Sequence, residues 1–320
     1  RLHNNEVELE SLSGTMGPAV FSGKGAGRFD PEGVEGEFEA ELKGLKMDDS
    51  LRALLPAPAR ELWDAARPAG RLTLRAKGRM SPGDARPVVQ GVVQIEDLSC
   101  APPQLPFPLR QVNGLLAVTE ERVKVESLAG KFGSGTFRVP AASLSLAGDN
   151  AFEASVEVEK LAFDGPCADL IPPAFVSAAP KALRDFLDKG KTAWKMDLSL
   201  SARRGVGDTR PVIAGNVTLS DGFLAHPLFG KPFVNIRAHA RYADGTAELA
   251  GFVAHWGPSR LEVKPVKVPV LKPAPFTVHA SVNGIELNDE LRALLPADAQ
   301  KEWDKYKPGG LCDAAVVVRA

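Results

Sequence analysis

The residues whose chemistry could act on a substrate are few and scattered. Five histidines, His3, His226, His239, His255 and His279, include no HExxH and no i,i+4 pair, the spacing that puts two imidazoles on one helix face for zinc. His226 precedes Pro227 in an expected loop, and His239 alternates outward in its strand. Cys100, Cys167 and Cys312 are odd in number and widely separated, with no CxxC, which signals neither a disulfide framework nor a metal site. Asp48-Asp49 could offer two carboxylates to a cation, but helix capping explains them more simply. Gly23-Lys24-Gly25-Ala26-Gly27 lacks both phosphate-loop spacings and, with Gly133-Ser134-Gly135, reads as turn or bulge glycine. No GxSxG nucleophile elbow occurs, and Asn216-Val217-Thr218 is a formal glycosylation sequon. Arg86 and Arg210 recur at a hairpin base, where they could hold anionic head groups, although a turn-flanking surface role explains them more simply. No catalytic constellation is left, so the expectation is a protein that is not an enzyme and needs no metal or cofactor.

Composition narrows the classes further. With 39 Lys+Arg against 40 Asp+Glu the net charge is -1, which argues against nucleic acid as a partner. Apolar residues at 44% are too many for a disordered chain. Tyr is scarce at 2, against the aromatic cleft and paired carboxylates that a carbohydrate-cleaving β-solenoid would use. No apolar run approaches the roughly 18 to 20 residues of a membrane span. The polar start RLHNNEVELE is no signal peptide. A start without Met and an end within the strand-like Ala314-Ala315-Val316-Val317-Val318 suggest a piece of a longer protein.

The elements that position these residues repeat. Leu51-Arg52-Ala53-Leu54-Leu55-Pro56 returns unchanged as Leu291-Arg292-Ala293-Leu294-Leu295-Pro296, 240 residues on. Trp63 and Trp303, Pro68 and Pro308, and Gly70 and Gly310 keep the same offset, and the tryptophans are expected as core anchors. A degenerate middle copy runs through Leu170-Ile171-Pro172, Leu183, Arg184 and Phe186. Gly83-Asp84-Ala85-Arg86-Pro87-Val88 recurs as Gly207-Asp208-Thr209-Arg210-Pro211-Val212, and Leu12-Ser13-Gly14 as Leu128-Ala129-Gly130 and Leu249-Ala250-Gly251. The expected organisation is the tail of one repeat to about residue 35, repeats over 36–150 and 151–273, and the start of another over 274–320, with helical inserts at 48–67, 166–190 and 288–307.

Each repeat reads mostly as strand. Arg71–Lys77, Phe152–Glu159, Trp194–Ser201 and Val234–Arg241 alternate apolar and polar residues, the period of a strand with one covered face. Gly-Asp at 83–84 and 207–208 reads as a hairpin turn, so pairing is expected to be antiparallel. In the insert, Asp48, Asp49 or Ser50 caps a helix with Leu51, Leu54, Leu55, Leu62 and Trp63 on one face, broken at Pro56 and Pro58. One short helix pair covers two or three strands at about 4.8 Å spacing. Either the sheet packs its apolar face on itself, or part of that face is left for a ligand. Alternation sets the phase of that face and leaves both options open.

Arg86–Ile95, then Pro106-Phe107-Pro108-Leu109-Arg110-Gln111-Val112-Asn113-Gly114, then Val123–Gly130, resembles the AsmA-like superfamily of the Gram-negative envelope, whose large members are of the TamB and YhdP types. The second repeat departs from it, with Ile236 after Val234-Asn235 where the first has Gly114. The resemblance implies a mainly β protein whose repetitive antiparallel sheet curls into an elongated open groove. It implies a periplasmic position in a protein anchored to the inner membrane, and transport of phospholipid between the two membranes. The expected groove lining is Leu72, Leu74, Val89, Val93, Ile95, Val112, Leu116, Val123 and Val125, then Met196, Leu198, Ile213, Val217, Leu219, Val234 and Ile236. Phospholipid acyl chains are the implied partner, with inner- or outer-membrane envelope proteins beside them. The rival expectation is an envelope scaffold that assembles outer-membrane proteins by strand addition.

Overall fold

The computed structural model describes residues 2–3, 5–30, 33–55, 57–84, 86–103, 105–166, 185, 188–269 and 275–319. The fold is mainly β, antiparallel and unclosed. The chain divides into two compact units, Arg1–Val158 with Ser201–Val212, and Glu159–Leu200 with Ile213–Ala320. The first holds β1 (Leu2–His3), β2 (Glu6–Met16), β3 (Ala19–Asp30), β4 (Gly33–Lys46), α1 (Asp49–Leu54), α2 (Ala57–Ala66), β5 (Ala69–Met80), β6 (Val88–Cys100), β7 (Leu109–Val118), β8 (Arg122–Phe132) and β9 (Gly135–Ser145). From β1 to β9 each strand pairs antiparallel with the next. Strands β10 (Phe152–Pro166) and β11 (Lys191–Arg204) carry residues of both units. The second unit continues with β12 (Val212–Ala225), β13 (Phe233–Ala243), β14 (Thr246–Trp256), β15 (Ser259–Val263), β16 (Val266–Pro269), β17 (Thr277–Glu286), α3 (Asp289–Leu294), α4 (Ala297–Tyr306) and β18 (Leu311–Arg319). Long β14 is matched by two short strands, β15 and β16, and β15 then pairs with β17 and β17 with β18.

Many of the strands are interrupted by one left-handed residue. Gly44 (φ 68), Asp97 (φ 50), Gln111 (φ 50), Lys160 (φ 56), Asp221 (φ 50), Asn235 (φ 51) and Gly284 (φ 70) occupy this conformation. An extra residue at a bulge advances the strand by one, so the apolar phase resumes on the same face after the slip. Thus Leu42 is followed on that face by Leu45, and Ile95 by Leu98. A bulge takes an N–H out of the ladder, and a side chain on the neighbouring strand accepts it at three of these sites. The Asp97 N–H donates to Asn113 Oδ1 at 3.0 Å, the Lys160 N–H to Asp197 Oδ1 at 2.8 Å and the Gly284 N–H to Asp313 Oδ1 at 2.8 Å. The largest fully buried apolar side chains stand beside these bulges: Val112 and Ile236 are each 1% exposed, with Leu45, Leu161 and Ile285 also buried.

The two copies of the hexapeptide fold alike. Asp48 caps α1 by accepting the Ser50 and Leu51 N–H groups, and Asn288 caps α3 by accepting that of Leu291. The Leu55 and Leu295 N–H groups close the short helices on Arg52 and Arg292 carbonyls at 3.1 Å. Proline then starts the second helix of the second pair, with Pro296 at its N-cap. The middle insert expected at 166–190, with Cys167, lies almost wholly outside the described residues. The glycines expected at turns or bulges divide between the two. Gly133 makes a turn at φ 56, whereas Gly23, Gly25 and Gly27 lie within β3, in register with Ala40, Phe38 and Gly36, where the β2 register shifts opposite Gly23 and Gly25. A Cβ at Gly25 would stand 2.9 Å from the Glu37 carbonyl oxygen, so close strand approach, not a turn, uses these positions.

Candidate functional site

In the first unit the cross-strand register assembles apolar rows on one face. Phe21, Leu42, Leu74, Val93, Leu116, Val125 and Ala142 stand directly opposite one another from β3 to β9. Beside them run Leu72, Ile95, Gly114, Leu128 and Val139, and on the other flank Ala40, Ala76, Gly91, Val118, Val123 and Leu144. Val89 opposes Gly78, which in turn opposes Phe38. Val112 opposes Leu98 next to the bulges and is the buried member of the set. The others expected here, Leu72, Leu74, Val89, Val93, Ile95, Leu116, Val123 and Val125, share this face and stay half-exposed.

The second unit has its own rows. Leu219, Ala238, Phe252, Val263, Ala280 and Val316 are in register across β12, β13, β14, β15, β17 and β18. Val217 stands with Ala240, Leu249 and Val266. The Leu200 side chain occupies the space a Gly215 side chain would take, so alternation puts Met196 and Leu198 on the same side. Ile213 joins them by alternation and is 44% exposed. Ile236 opposes Gly222 and is buried. Val234 is placed differently from the sequence expectation: it opposes His255, while Phe233 stacks towards Trp256 on the apolar side at 6.5 Å between ring centroids. The left-handed Asn235 is the reason, because it breaks the alternation that joined Val234 to Ile236.

The opposite face of β3, β4 and β5 is ionic. Glu39 bridges Lys24 at 3.1 Å and Lys77 at 2.7 Å, and Glu41 bridges Arg75 at 2.7 Å and Lys43 at 2.9 Å. Hydrogen bonds from Lys77 and Lys24 hold the Glu39 carboxyl below the usual carboxylate range, and Arg75 and Lys43 do the same for Glu41. A cleft of about 780 Å³ lies on this charged side, where Glu8, Glu10, Lys24, Glu39, Lys77 and Arg79 line it.

Along most of its length the apolar face stays half-exposed. Two compact globules of about 160 residues each would together expose about 15,000 Å². This chain exposes 20878 Å². Away from the bulges apolar side chains on this face stand in the open, Leu12 at 52% exposure among them, with Leu9, Leu144 and Leu200.

Reactive groups are arranged unfavourably for chemistry. Thr218 Oγ1 lies 3.1 Å from His239 Nδ1, but His239 Nε2 already accepts from Arg241 Nε at 3.3 Å. The ring is therefore protonated at Nδ1 and donates to Thr218, the reverse of what a nucleophile and its base require. Burial pushes the Cys100 thiol up, away from the reactive thiolate. Trp63 and Trp303, expected as core anchors, are only half-buried, and Arg86 and Arg210 are exposed. Two ion pairs escaped the sequence reading. Arg52 grips Asp64 with Nε and Nη2, both at 2.6 Å, and Arg292 grips Asp304 identically. Asp64 and Asp304 each follow the recurring tryptophan, which was the available signal.

Among the described residues no group of three or more His, Cys, Asp or Glu could hold a metal ion, and no helix is long and apolar enough to cross a membrane. Compared with protein-family models, with curated proteins and with solved structures, the chain matches none.

Proposed function

We propose that this chain is a segment of an AsmA-like envelope protein whose apolar face holds phospholipid acyl chains on their way between the inner and outer membranes, without catalysing a reaction. The observation that carries the reading is the set of in-register apolar rows, Leu42–Leu74–Val93–Leu116–Val125 foremost, whose side chains stay half-exposed. Acyl chains are retained by buried apolar area, about 0.8 kcal/mol per CH2, and need no reactive group. Half-exposed valines and leucines supply such area, and the ionic opposite face keeps the sheet wetted on its other side. The periplasm, between the two membranes, is the compartment in which such a face would meet lipid.

Native mass spectrometry with lipid extraction tests the reading on chain purified from bacterial periplasm and membranes. Phospholipid is expected to copurify with the wild-type chain and to be lost from Val93→Asp, which should remain folded because Val93 is half-exposed. A lipid-free, stable wild-type chain that captures outer-membrane strands would replace the conduit with the scaffold.

A further inference from the structure

The polar side of the second unit carries a strip of basic residues on one strand. On β13, Arg237, His239 and Arg241 alternate onto the same side, about 6.6 Å apart from one to the next. In β3 to β5 the cations stand opposite glutamates, Glu41 to Arg75, Glu39 to Lys77 and Glu37 to Arg79. The β13 strip has one such match, Glu248 opposite Arg241, and none at Arg237 or His239. Across from it stand Asn216 and Thr218 on β12, and Val253, Gly251 and Glu248 on β14. Glu248 itself stands between Arg241 and Lys267. Asp221 feels the Arg237 charge, but its hydrogen bond goes to Lys195 at 2.8 Å. Neither Arg237 nor Arg241 forms an ion pair among the described residues.

The hydrogen bonds point the remaining donors outward. Arg241 Nε is spent on His239 Nε2, which leaves both terminal nitrogens of its guanidinium free to donate. His239 Nδ1–H donates to Thr218 Oγ1, so the threonine hydroxyl hydrogen is available to an incoming acceptor. Directly opposite His239 is Gly251, where an added Cβ would meet nothing within 4 Å. The missing side chain leaves a notch at the centre of the strip.

We propose that Arg237, Arg241 and Thr218, around the notch at Gly251, form a binding site for a phosphoryl group, a tetrahedral oxyanion whose oxygens accept from a guanidinium fork and a hydroxyl at once. The site is independent of the acyl-chain reading, because the strip faces away from the apolar rows.

The test uses the whole chain at low ionic strength, where exposed charge is least screened. Inorganic phosphate and vesicles of phosphatidylglycerol in phosphatidylcholine are titrated separately, with calorimetry and the NMR signal of the His239 ring as readouts. Saturable binding of inorganic phosphate would place the ligand among soluble phosphorylated molecules. Binding of vesicles alone would place the phosphoryl group on a lipid surface. In either case R237Q/R241Q should weaken binding at least about tenfold, the loss expected for hydrogen bonds to a charged group. T218V should weaken it less, Gly251→Leu should block the notch, and Glu248→Gln should tighten binding. The proposal is overturned if neither probe saturates, or if R237Q/R241Q binds as the wild type does while its circular dichroism is unchanged.

Discussion

The ring of Phe38 lies directly against the backbone of Gly78, its partner across the β4–β5 ladder. A Cβ added at residue 78 would stand 2.1 Å from Phe38 Cε1, so the ring occupies the space a side chain would take. Gly78→Ala should therefore destabilise the first unit by about 1 to 3 kcal/mol through displacement of the ring. In urea titrations the double variant Gly78→Ala/Phe38→Leu should recover part of that loss. Equal midpoints for the single and double variants would mean the ring moves aside freely.

Asp substitutions should separate the covered end of the apolar face from the bare one. Val112→Asp and Ile236→Asp bury a carboxylate at positions 1% exposed, and each should cost several kcal/mol and most of the soluble yield. Ile213→Asp, at 44% exposure, should fold with a loss of about 1 kcal/mol or less. Soluble yield and urea midpoints decide it, and a collapse of Ile213→Asp would show that this residue is covered in solution.

The accepting side chains beside the bulges should matter more than their surface position suggests. Asn113→Ala, Asp197→Ala and Asp313→Ala each strip the acceptor from one bulge N–H. A loss of about 1 kcal/mol apiece is expected, read by urea unfolding. Asp97→Gly, which relaxes the left-handed residue itself, should be neutral or stabilising. The reverse order of effects would make the loop residues, not the bulges, the determinants.

The two arginine clamps carry a pH signature. The Arg52 hydrogen bonds hold the Asp64 carboxyl below its usual range, and Arg292 does the same for Asp304. A carboxyl depressed in the folded state stabilises above its unfolded pKa, and that contribution disappears as pH falls through the folded one. Asp64→Asn and Asp304→Asn should thus lower the melting temperature at pH 7 and converge on the wild type in acid, below about pH 4. A gap that persists unchanged in acid would assign the effect to packing.

Much of this architecture could be read from residue order alone, and the failures have physical causes. Alternation located the strand bodies, Asp48 announced the helix cap, and Gly83-Asp84 announced a hairpin, whose Asp84 N–H donates to the Ser81 carbonyl at 3.0 Å. Val234 was misplaced because a left-handed Asn235 is invisible to a period-two count. The strand role of Gly23, Gly25 and Gly27 was hidden because their constraint comes from β4, a long-range neighbour. Whether the face was bare could not be read at all, since Val93 obeys the same alternation with or without a second layer above it. The Arg237–His239–Arg241 strip became legible only once register showed which residues face it.

Charge on the polar side is largely sorted by strand: Glu35, Glu37, Glu39 and Glu41 on β4, where Lys43 and Lys46 follow them, and Arg71, Arg75, Lys77 and Arg79 on β5. Strands β17 and β18 hold the corresponding places around the second copy of the hexapeptide, and their polar positions are nearly neutral, Thr277, His279, Ser281 and Asn283 on the first. A chain built from near-copies risks pairing a strand with the right partner of the wrong copy while it is still being synthesised. Transposing β5 onto β17 would leave Arg75, Lys77 and Arg79 facing uncharged residues, whereas the native neighbour answers all three directly. The charges thus act as an address that tells one copy from another, a discrimination the shared apolar pattern could not provide.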